Sequence, residues 1–291
     1  MGVVIIALLL VALAVLIGTA PLFVERRVET LPVETTPYVK AEDAVATLHN
    51  LAVFFILLVG ATVVIYILFS KRKLMNLLLY FIWFVLSVGV FQFYVILYFR
   101  AELLDETNAL RLMWASLLFG VFVVVLLHKR RGDLLLGLLG ALAGAMFVWL
   151  LPDATIVALL TALPVYDYIM VTKGLLGQLV KRAKEEAGGG GKGGERGDTP
   201  LYGFVVRLKS LSLGVGDFVV YSMALTFITM KLLQYGRAVS LVALGVGVVL
   251  IYIGLLLTVK IFLKRWGYGP ALPLPILLLS PLIIAAWISA T

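Results

Sequence analysis

Leu213-Gly214-Val215-Gly216-Asp217-Phe218 places an aspartate inside an apolar run. Fifty positions earlier Leu163-Pro164-Val165-Tyr166-Asp167-Tyr168 does the same. A carboxylate at membrane depth costs roughly 2.5–3.5 kcal/mol on insertion scales, so such residues face a bundle interior or a watery cavity. Two of them, each in its own hydrophobic segment, demand one explanation. The segments around them decide the fold.

Of 291 residues, 63% are hydrophobic and 14% charged, where a soluble domain has about 45–50% and about 25%. The mean hydropathy is +1.11. The chain reads as an all-α, polytopic membrane protein, with the lipid bilayer as its first partner. Nine apolar stretches cover 3–23, 49–70, 74–99, 112–127, 134–151, 154–172, 211–230, 238–259 and 271–290. In lipid each must be a helix, because every backbone polar group has to be satisfied within its own segment. The first stretch lacks a positive n-region and exceeds a typical signal h-region, so it reads as a retained span despite Gly18-Thr19-Ala20.

The net charge of +8 comes in short basic clusters between apolar runs, which is topology signalling rather than a nucleic-acid surface. Connections 71–73, 128–133, 173–210 and 260–270 carry seventeen Lys and Arg; the alternate connections carry seven. Without the longest loop on each side the short loops still lean nine to four. The positive-inside rule therefore puts the N-terminus in the cytoplasm and the C-terminus outside. With no cysteine, disulfides, thiolate nucleophiles and Cys-based metal sites are excluded.

The chain divides into 1–187 with six spans, a Gly-rich connection 188–210, and 211–291 with three spans. Lys173 to Ala187 reads as a cytosolic extension of the sixth helix along the interface, with Leu175, Leu176, Leu179 and Val180 on one side. Gly188 to Gly194 then breaks any helix and reads as a flexible tether, either a plain linker or a point of self-cleavage. The loop from Val24 to Leu48 is expected outside, over the bundle mouth. Trp83, Trp114 and Trp149 read as packing or interface residues, and Asp153, after Pro152, as the N-cap of the sixth span.

The acids fall level. Asp167 precedes the first inside lysine, Lys173, by six residues, roughly 9 Å of helix. Asp217 follows Lys209 by eight, roughly 12 Å. Two carboxylates in contact cannot both stay ionised easily and can share one proton. Such a pair can activate water with one member and polarise a carbonyl with the other. Gly214 and Gly216 leave room beside Asp217 for the sixth helix or for another backbone. A third element, Gly269-Pro270-Ala271-Leu272-Pro273-Leu274-Pro275, has too many prolines for an ordinary helix start and is expected to be extended or kinked. It lies on the same inner side as both acids.

Tyr166-Asp167 in the sixth span, Gly214-Val215-Gly216-Asp217 in the seventh and Pro270-Ala271-Leu272 before the ninth together resemble the presenilin and signal peptide peptidase family of intramembrane aspartyl proteases. The nine-span count, motif order and inter-motif loop extend the resemblance over most of the chain. It implies a presenilin-like bundle in which Asp167 and Asp217 are catalytic, Tyr166 supports the first and Gly214 and Gly216 shape the second. Pro270, Ala271 and Leu272 would hold the substrate, itself a transmembrane helix of another protein. Val215 stands at the variable position of the family's Gly-Leu-Gly-Asp. The inside N-terminus looks like presenilin, and a prokaryotic homologue acting without a built-in partner domain is the nearest pattern. No metal or other cofactor is implied, and a homo-oligomer is left open.

Three rivals are weighed against this. A zinc protease lacks its His-Glu-x-x-His, since His49 and His128 are the sole histidines. Prepilin peptidases also carry Gly-x-Gly-Asp, but not the proline-rich segment before the last span. A proton- or cation-coupled transporter also uses paired intramembrane acids; the absence of a recognisable inverted repeat counts against it.

Overall fold

The computed structural model describes residues 2–24, 37–68, 71–172, 203–208, 211–263 and 269–289. Residues 25–36 of the Val24–Leu48 loop, the proposed extension of the sixth helix and the glycine tether lie outside the described residues. Among the described residues are nine α-helices. They are α1 (Gly2–Val24), α2 (Ala44–Leu68), α3 (Arg72–Arg100), α4 (Glu106–His128), α5 (Asp133–Leu150), α6 (Asp153–Thr172), α7 (Val215–Leu232), α8 (Arg237–Thr258) and α9 (Pro273–Ile288). The first eight are long and apolar enough to cross a membrane. The ninth has 16 residues, roughly 24 Å of helix. This is the architecture of a multi-pass membrane protein.

One stretch departs from the all-helical expectation. Residues 211–214, expected to begin the seventh span, form a strand β2 (Leu211–Gly214) that pairs antiparallel with β1 (Val205–Leu208), with Val205 opposite Gly214. Residues 203–208 of the connection are therefore part of a built element. Trp83 on α3 donates its indole N–H to Gly203 O at 2.9 Å, and Val215 N–H donates to Phe204 O at 3.0 Å. These contacts carry the hairpin directly into α7.

The core is built around α7, which packs against α5, α1, α8 and α9. From Phe218 to Thr229 all but one of its residues are buried, so it reads as hydrophobic all round. Its closest neighbour is α5, whose Gly137, Gly140 and Gly144 recur at three and four residues and so share one face. A Cβ at Gly144 would stand 2.1 Å from Val219 O, so the two backbones touch there as only glycine permits. A second such meeting joins α8 to α9, where a Cβ at Gly254 would lie 2.5 Å from Pro275 Cα.

Far from the hairpin, α6 is latched at its start. Glu42 accepts from Asp153 N–H at 3.0 Å and from Ala154 N–H at 3.2 Å, filling the place assigned by sequence to Asp153. The Asp153 carboxylate instead pairs with Lys231 at the end of α7. The expectation fails because a residue 111 positions earlier supplies a better-placed carboxylate. Beside it Asn50 donates to Val39 O at 2.8 Å and to Thr155 Oγ1 at 3.1 Å, tying the loop, α2 and α6 together. Glu42→Ala should lower stability by about 1 kcal/mol, the usual value of a helix cap. Thermal unfolding in detergent checks this, and an unchanged transition would show that water replaces the cap.

Candidate active site

Asp217 is the third residue of α7, where the positive end of the helix dipole favours a carboxylate. Its Oδ2 accepts from Gly214 N–H at 2.9 Å, reaching back over the first turn. That contact serves the helix as a cap, and it also fixes one oxygen of the carboxylate in place. Asp167 lies near the end of α6, one turn after Pro164, which interrupts that helix's ladder. Its Oδ2 accepts from Leu272 N–H at 3.2 Å. The two acids are electrostatic neighbours. Asp167 near the end of α6 and Asp217 at the start of α7 thus stand within electrostatic range of each other.

The proline-rich segment is kinked. Ala271 and Leu272 form a bend, and α9 starts at Pro273, a position that tolerates proline because its missing N–H would be unpaired anyway. Sequence reasoning left this segment extended or kinked, and the kinked form is the one present. The Leu272 amide turns to Asp167, Ala271 O accepts from the Tyr221 hydroxyl at 2.7 Å, and Leu272 O accepts from Ile276 N–H at 3.1 Å. Pro270 and Leu272 are buried beside them.

Tyr166 faces α2. Its hydroxyl is 3.5 Å from Thr62 Oγ1, and its ring lies 5.7 Å from that of Phe55. It braces the helix that carries Asp167. Gly214 caps α7 in extended conformation, and a Cβ there would meet Asp217 Oδ2 at 3.4 Å. Gly216 is exposed and a Cβ there would meet nothing within 4 Å, so no part of α6 presses against it. Among the described residues nothing fills the space on that side.

Two parts of the site escaped sequence reading. Tyr221 stands four residues after Asp217, on the same helical face, and that spacing was the available signal. The hairpin shows in Phe204-Val205-Val206 and in the alternation of Leu and Ser from 211 to 213, and two residues separate the paired strands. A cavity of about 560 Å³ opens between α6 and α9, lined almost wholly by apolar groups including Pro164, Val165, Tyr168, Pro273 and Ile276. It flanks Asp167 along the chain on both sides.

No family model matches the sequence, and no curated protein matches it either. Among solved structures the chain is similar to a presenilin family intramembrane aspartate protease crystallised in space group C222. The two share 18% identity and a TM-score of 0.59 over 99% of this chain and 98% of that one. End to end, this chain has the fold of a presenilin family intramembrane aspartate protease.

Proposed function

We propose that the protein is an intramembrane aspartyl protease that hydrolyses peptide bonds within transmembrane helices of other membrane proteins. The observation that supports this reading is that Asp167 and Asp217, on separate helices and within electrostatic range of each other, each have one oxygen held by a backbone amide. The other oxygens are assigned to the chemistry. One carboxylate takes a proton from water as its oxygen attacks the scissile carbonyl carbon, and the protonated partner gives its proton to the carbonyl oxygen. Collapse of the resulting diol breaks the C–N bond, with the leaving nitrogen collecting a proton from the dyad. No covalent intermediate is needed. The shared proton makes acid and base available together.

The apolar groove between α6 and α9 suits a lipid-embedded helix as it approaches from the side. Such a helix must unwind before its carbonyls can be attacked. With Ala271 and Leu272 occupied internally, the edge of the β1–β2 hairpin, which runs straight into the helix bearing Asp217, is the better partner for freed substrate backbone. In this reading the N-terminus is cytoplasmic, and the acids lie toward the cytoplasmic face.

The test uses purified full-length protein in detergent with a single-span test substrate, wild type beside Asp167→Ala. Wild type should cleave within the apolar segment and the variant should not. Equal cleavage by both would sink the dyad assignment. Solute flux by wild type without any cleavage would favour the transporter reading instead.

A further inference from the structure

One peptide unit joins the two acidic helices. The peptide between Ala271 and Leu272 presents its C=O to the Tyr221 hydroxyl on α7 at 2.7 Å. The same unit presents its N–H to Asp167 Oδ2 on α6 at 3.2 Å. Because a peptide is planar, fixing the direction of the C=O fixes the direction of the N–H. Accepting a hydrogen bond at oxygen also polarises the unit and strengthens its N–H as a donor. Tyr221 is buried, with 2% of its surface exposed, and stands one turn from Asp217. Its hydroxyl therefore reaches from the helix of one acid, through a single rigid plane, to the carboxylate of the other.

We propose that Tyr221 is a positioning residue for Asp167, acting through the Ala271–Leu272 peptide to set the carboxylate's place relative to Asp217. The inference rests on the protease reading for its consequence in rate, and on geometry alone for the clamp. Tyr221 touches no reacting atom. Its hydroxyl sets the direction of an amide donor on Asp167, and the expected effect of losing it is a misplaced acid rather than lost substrate affinity.

The deciding variant is Tyr221→Phe, which keeps the ring in the core and removes only the donor. Tyr98→Phe serves as control, because its hydroxyl also holds a backbone carbonyl, Ile17 O at 3.0 Å, between α3 and α1, neither of which carries an acid of the pair. In the full-length protein in detergent, Tyr221→Phe should lower kcat by about tenfold, the scale of one lost hydrogen bond felt in the transition state. KM should stay within about twofold of wild type, as expected for an interaction expressed only in the transition state. Hydrogen exchange should rise at 269–275, where the prolines leave amides only on Gly269, Ala271, Leu272 and Leu274. Tyr98→Phe should change neither readout. Unchanged exchange in Tyr221→Phe would overturn the clamp, and unchanged kcat with raised exchange would overturn its role in positioning. If wild type itself cleaves nothing, the protease reading falls, and with it any effect on rate. The exchange comparison then still decides whether Tyr221 holds this peptide.

Discussion

Asp217→Asn should leave a folded protein that has lost cleavage activity by roughly a thousandfold or more, the scale of a missing general acid or base. The choice of Asn matters. Oδ2 of Asp217 accepts from Gly214 N–H, and an amide oxygen can take over that cap. Asp217→Ala removes the cap with the proton chemistry and adds a stability loss of about 1 kcal/mol. Comparing the two separates the carboxylate's structural duty from its chemical one. Cleavage of a single-span substrate and thermal unfolding are measured side by side. Asn with near wild-type cleavage would show that Asp217 is a helix cap and nothing more.

The second large effect concerns stability. Gly144→Ala should destabilise the fold by about 2–4 kcal/mol, at the upper end of overpacking penalties. The added methyl would sit 2.1 Å from Val219 O, and the obstacle is backbone, which cannot rotate away. Helices α5 and α7 must separate, and α7 carries Asp217, so cleavage should fall along with unfolding temperature. Gly245→Ala on α8 is the matched control, since a Cβ there meets nothing within 4 Å. It should be neutral or slightly stabilising, as a helical glycine replaced by alanine usually is. Equal unfolding transitions for both variants would mean that α5 and α7 are not in backbone contact.

How far the sequence foretells this molecule follows from the range of the forces involved. Helix positions were legible because lipid leaves a buried backbone no alternative to local hydrogen bonds, and α1 to α6 begin and end within a turn or two of the apolar runs. The expectation that Asp167 and Asp217 fall level has the same ground, since helical rise converts residue counts into depth. Contacts between distant residues were not legible. Nothing near Asp153 announces Glu42, and nothing near Ala271 announces Tyr221, fifty residues away. Apolar periodicity gives no help in placing neighbours either, because a helix such as α7 is hydrophobic on every side. The hairpin was lost to its setting, a few alternating residues at the end of a glycine-rich connection.

The central place of α7 has a consequence for how the chain is made. Helices α1 and α5 leave the ribosome first, yet each reserves a face for α7, and the glycine side of α5 meets Val215, Phe218 and Val219 there. Until the seventh helix is synthesised, those faces have only lipid or one another to cover them. The first six helices are therefore an unfinished vessel, closed from within by a late arrival. Assembly of the acid pair and completion of the core become a single event near the end of biosynthesis, so a chain that stalls before α7 lacks both its centre and its second acid.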